Sequence, residues 1–120
     1  MKNLFFIIVF MAGFFFASLS AADIPTFPGG EEALKKYIST HTTYPENARE
    51  NSVEGIITVG FIVLPDGSLT EIKVVKLIDP DLEREAIKVV SNMPAWIPAE
   101  KDGTPIEAPS QVEIPFLLDE

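Results

Sequence analysis

Residues 53–68 read Val-Glu-Gly-Ile-Ile-Thr-Val-Gly-Phe-Ile-Val-Leu-Pro-Asp-Gly-Ser, and the fold turns on this stretch. Side chains alternate across a strand, so Ile57, Val59, Phe61 and Val63 share one face while Ile56, Thr58, Gly60, Ile62 and Leu64 share the other. Both faces are largely apolar, which suits a strand in the middle of a sheet. Pro65-Asp66-Gly67-Ser68 ends the run with turn chemistry, because Asp-Gly tolerates the left-handed backbone of a tight hairpin. The return strand is expected from Leu69 to Ile78, with Ile72 and Val74 toward the core. Glu71, Lys73 and Lys76 interrupt it, as suits an edge strand.

Moving downstream, Asp79-Pro80 opens a helix, with Asp79 as N-cap and proline at the first helical position, where no N–H is needed. Leu82, Ala86, Val89, Val90 and Met93 form its apolar stripe. Met93-Pro94 stops it. The only Trp follows, clamped in Pro94-Ala95-Trp96-Ile97-Pro98. A large ring held between two prolines reads as a packing anchor for the crossover. After a polar turn at Glu100-Lys101-Asp102-Gly103, a last strand is expected over Glu107–Leu118. Val112, Ile114, Phe116 and Leu118 alternate inward. A strand–helix–strand crossover makes the last strand parallel to the second, with the first between them. The expected fold class is therefore α+β: a three-stranded antiparallel sheet of order 2-1-3, with two to three helices packed on one face.

Upstream, Pro45 to Asn51 reads as a short helix and Glu31 to Thr40 as a longer one. In the latter Ala33, Leu34, Tyr37 and Ile38 share a face, and Glu31 and Glu32 complement the helix dipole. The first 22 residues form a different class of sequence. Lys2 precedes an apolar run from Leu4 to Leu19, and Ser20-Ala21-Ala22 supplies small residues before Asp23. This is the pattern of a secretory signal peptide. The alternative is an uncleaved inner-membrane anchor, although 16 residues reach only about 24 Å as a helix, against about 30 Å of hydrocarbon. The expected organisation is a signal peptide over 1–22 and one domain over 23–120. With the leader cleaved, no stable membrane insertion is expected and the domain would lie in the periplasm.

The 120-residue chain carries a formal net charge of −9 and has no Cys. So acidic a domain does not seek nucleic acid or anionic surfaces. The missing Cys removes disulfides, a lipid-modified cysteine, a Cys nucleophile and Cys/His metal sites. The single His, His41, is expected in a polar Thr-His-Thr-Thr loop, where histidine is more often surface than base. No nucleophile elbow or phosphate-binding glycine loop is present. Asp79-Pro80-Asp81-Leu82-Glu83-Arg84-Glu85 invites a calcium reading. It lacks the turn glycine and spaced bidentate Glu of a calcium loop, and reads better as helix capping. Neither an enzyme nor a cofactor is expected.

Tyr44-Pro45, Ala48, Gly55, Phe61, Asp66-Gly67, Ala86, Pro94, Trp96, Pro98, Gly103 and Phe116 stand in an order and spacing that resemble the C-terminal domain of the TonB energy-transducer family, in its Bacteroidetes-type form. The resemblance runs from Phe27-Pro28-Gly29-Gly30 to Leu118. It implies the same sheet order and a protein partner, the TonB box of an outer-membrane receptor, docked on the last strand. The expected function is that of a stand-alone periplasmic protein-binding module in transport across the outer membrane. A full transducer also has a long linker. Here the fold begins about ten residues after the apolar run, a reach of only ~35 Å fully extended. The acidity is a second departure, since it repels an acidic receptor segment. The alternative is an envelope-associated interaction module with no energy-transducing role.

The residues themselves supply a binding mechanism. An exposed edge can take an extended peptide by strand addition. Proline has no N–H, so Pro115 fits only where the backbone points away from the neighbouring strand. By alternation Gln111, Glu113, Pro115 and Leu117 then face outward, with free donors at Gln111, Glu113 and Leu117. The competing reading makes Pro115 and Glu113 protection against unwanted pairing. Tyr44, Trp96 and Phe116 are read as core aromatics ahead of interface anchors. A domain-swapped homodimer through the last strand is compatible with open edges.

Overall fold

The structure, a computed structural model, describes residues 24–118. Strand β1 (Gly55–Val63) lies within the apolar stretch of residues 53–68, with Ile57, Val59, Phe61 and Val63 all buried. It hydrogen-bonds to β2 (Leu69–Val74) on one side and to β5 (Ala108–Phe116) on the other, both antiparallel. The sheet order is β2-β1-β5. This is the expected α+β arrangement, with β5 in the place of the third strand.

Helices α1 (Gly30–His41), α2 (Glu46–Glu50) and α3 (Pro80–Ser91) supply the other layer. Ile38 of α1, Ala48 of α2, and Leu82, Ala86, Val89 and Val90 of α3 join the inward face of β1 and β5 in one buried cluster. Among the described residues no helix covers the opposite sheet face: Ile56 is 47% exposed beside the wholly buried Ile57. The apolar outer face of β1 reflects its central position rather than a second packed layer.

Local chemistry sets the boundaries. Asp79 caps α3 through its carboxylate, which accepts from the N–H groups of Asp81 and Leu82 at 3.1 Å each. Glu83 reaches back to the Ile78 N–H, 2.5 Å away. The acidic run is thus spent on the helix start, with Asp81 also pairing to Arg84 at 2.9 Å. Glu85 accepts from the Thr43 N–H at 2.8 Å and ties the α1–α2 connection to α3. His41 is the last residue of α1 rather than part of a loop, exposed and stacked on Tyr37 at 3.9 Å.

Two expectations need correction. The return strand ends at Val74, and Val75–Ile78 is an exposed connection with Leu77 79% exposed. The chain must leave the sheet there to reach the α3 cap. The polar turn at residues 100–103 is the tip of a small hairpin of β3 (Ala99–Lys101) and β4 (Thr104–Ile106). Strands of three residues carry too little alternation to register as a pattern. The leader, residues 1–22, lies outside the described residues.

Trp96 anchors the crossover as its proline clamp suggests. It is buried, and its ring meets Phe61 and Phe27 edge-to-face at centroid distances of 5.1 and 5.7 Å. Its backbone N–H donates to Gly67 at 2.8 Å, and Thr26 and Ile97 exchange backbone hydrogen bonds. The Asp66-Gly67 turn and the Trp segment are therefore a single packed unit.

Candidate functional site

The sheet has two edges, and they differ. On β2, Glu71 has φ +52° and the pairing with β1 shifts register between Gly60 and Ile62. Such a bulge disrupts the row of edge groups and blunts the strand as a template. Strand β5 pairs with β1 over nine consecutive residues, from Gly55↔Phe116 to Val63↔Ala108, without a shift. Its outer edge is straight.

The direction of that edge follows from hydrogen bonding. Val75 N–H donates to the Thr58 carbonyl at 2.9 Å, so Thr58 turns its backbone toward β2. Thr58 pairs with Glu113 across β5. In an antiparallel ladder this makes the pair non-hydrogen-bonded, and the N–H and C=O of Glu113 point away from β1. By alternation Gln111, Pro115 and Leu117 do the same. Leu118 agrees, since its N–H turns back to Glu54 at 3.0 Å. Pro109 shares the parity of Pro115. The two prolines therefore sit where no ladder bond is lost, and among the described residues the outward row keeps donors at Gln111, Glu113 and Leu117.

Side chains follow the same alternation. Val112, Ile114 and Phe116 are buried; Gln111, Glu113, Pro115 and Leu117 are exposed, Leu117 by 60%. Two concavities run beside this edge. A 580 Å³ groove lies between Lys35, Ile38, Ser39 and Thr42 of the α1 region and Glu113, Pro115, Phe116 and Leu117 of the strand. Tyr44, Arg49 and Ile56 complete it. A second, 360 Å³, joins Pro109–Gln111 to Gly30, Glu31 and Leu34 of α1, over Phe27 and Trp96. Helix α1 therefore flanks both halves of the β5 edge.

Tyr44 organises the end of the larger groove. Its ring meets Phe116 edge-to-face at 5.6 Å, and its hydroxyl donates to the Val53 carbonyl. Burial lifts the Tyr44 hydroxyl above its ordinary value, Glu54 adds to this, and Arg49 opposes it. The Arg49 guanidinium lies 4.9 Å above the Tyr44 ring. Tyr44 and Phe116 are thus both core aromatics and groove lining. Pro45 caps α2, Gly55 starts β1 against Ile78, and Pro94 and Pro98 flank the anchored Trp. Residue patterns did not bring Lys35 and Arg49 to this site, because they come from two helices that only packing sets beside β5.

The sequence profile described as Gram-negative bacterial TonB protein C-terminal matches residues 40–118. The chain belongs to this family. It is a family of protein-interaction and transport modules, not a known enzyme family. Two solution structures of the Helicobacter pylori TonB C-terminal domain share the fold. One is 26% identical with a TM-score of 0.56, covering 74% of this chain and 94% of that one. The other is 25% identical with a TM-score of 0.56, covering 78% and 88%. No curated protein matches the chain.

Proposed function

We propose that the chain is a periplasmic TonB C-terminal module that takes an extended segment of an outer-membrane receptor on its β5 edge by strand addition. The observation that carries this reading is the straight outer row of β5, with free donors at Gln111, Glu113 and Leu117 and a groove alongside. Main-chain pairing would supply the affinity, and the groove between α1 and β5 would receive alternate side chains. Family membership supports a receptor segment such as the TonB box as the partner.

The prolines define the window. A partner residue opposite Gln111 or Glu113 can exchange both backbone bonds. One opposite Pro109 or Pro115 can only donate, so full pairing is confined to the centre of the edge.

The test is an NMR titration with receptor TonB-box peptides. The expected result is saturable amide shifts from Gln111 to Leu117, lost in Glu113→Pro, which deletes an outward donor without touching the β1 ladder. Absence of shifts at millimolar peptide overturns the reading and leaves an envelope interaction module with a protected edge.

A further inference from the structure

We infer that the groove selects a segment with a carboxylate on one face only, the face turned toward α1 and α2. The inference rests on strand addition at β5. Its basis is the distribution of charge around that edge.

The chain is strongly acidic, yet the helix side of the 580 Å³ groove presents Lys35 and Arg49. Among the described residues the single ion pair is Arg84–Asp81, so neither groove cation is within salt-bridge distance of an acid. Arg49 is held in place by the Tyr44 ring rather than by a carboxylate. Glu54, whose charge acts on Tyr44, accepts from the Leu118 N–H. Both cations line the groove together with Ile38, Tyr44 and Phe116, which pack on the helix face of the sheet. Glu113 lines the same groove from its other side, on the sheet face away from the helices, exposed and paired with Thr58.

A strand added to β5 sends successive side chains to these two faces in turn. Residues of one parity would meet Lys35 and Arg49. Those of the other would meet Glu113. A carboxylate is attracted in the first set and repelled in the second. The acidic domain thus accepts an acidic segment by local complementarity, in one phase of alternation and not the other. One exposed ion pair changes affinity by about three-fold.

The experiment uses the full chain and seven-residue peptides of alternating Val and Thr, in which the Val row fixes the face toward the core. One Glu or one Gln replaces a central residue, either in the Val row or in the Thr row. Binding is followed by the Gln111–Leu117 amide shifts. The expected result is that Glu in the Val row binds about three-fold tighter than Gln there, and that Glu in the Thr row gains nothing over Gln. Lys35→Gln with Arg49→Gln should abolish the advantage, and high salt should erode it. Equal binding of the Glu and Gln peptides, or an advantage that survives the double variant, overturns the charge selection. If the Gln peptides still move the β5 amides, strand addition itself stands. If no peptide moves them, both readings fall.

Discussion

Gly67 shows how one residue can hold two distant segments together. Its φ is +90°, and a Cβ there would lie 2.2 Å from the Trp96 carbonyl oxygen. Gly67→Ala therefore meets both a disfavoured backbone and a steric clash with main chain. The expected loss is at least about 1–3 kcal/mol from backbone strain alone, read as a lower urea midpoint. Asp66, beside it, accepts from the Ser68 hydroxyl at 2.7 Å and the Ser68 N–H at 2.9 Å. The Ser68 hydroxyl, then its N–H, hold the Asp66 carboxyl below its ordinary value of 3.8. A folded-state value below the unfolded one means the contribution is complete above pH 3.8 and is lost as pH falls through the lower, folded value. Asp66→Ala should thus be less stable than the parent at neutral pH, with the gap narrowing below pH 3.8 in a pH series of urea unfolding. The Asp-Gly turn was legible from residue chemistry. Its contact with Trp96 was not, since 29 positions separate Gly67 from Trp96 and nothing local encodes the approach.

At the scale of elements, strong local signals located the structure well. Period-two alternation identified β1 and β5, and Asp79-Pro80 marked the start of α3. Asp79→Ala should cost about 0.5–2 kcal/mol, because it orphans two N–H groups at the helix start. The misplaced pieces are those where local pattern and tertiary geometry compete. Val75, Leu77 and Ile78 look like strand residues, yet they form the exposed link to α3. The β3–β4 hairpin is too short to announce itself. For the edge, Pro115 marks the backbone direction of β5 in the sequence itself, because a missing N–H constrains geometry as firmly as a present one. The bulge at Glu71 had no such marker, so the contrast between the two edges emerged only from the structure.

For the whole molecule, the decisive property is one-sidedness. Among the described residues, three helices and the inward sheet face share one core, and the other sheet face stays open. Two adjacent residues test this. Ile57→Ala should cost about 2–5 kcal/mol, as for a fully buried aliphatic side chain. Ile56→Ala should cost less than about 1 kcal/mol, since its side chain is already half in water. Comparable losses in chemical unfolding would place a second layer over the open face. The fold class, the central strand and the sheet order were readable from sequence because hydrophobic alternation and connection rules restrict the choices. The groove was not, because α1, α2 and β5 meet there only after packing.

Amide hydrogen exchange along β5, with and without a TonB-box peptide, tests the central claim most directly. In the free protein Val112, Ile114 and Phe116 should be protected by the β1 ladder, while Gln111 and Glu113 exchange freely. Under saturating peptide, Gln111 and Glu113 should gain protection and the β2 edge should be unchanged. Protection already present at Gln111 and Glu113 in the free protein, or no gain with peptide, would contradict the open edge on which the functional reading stands.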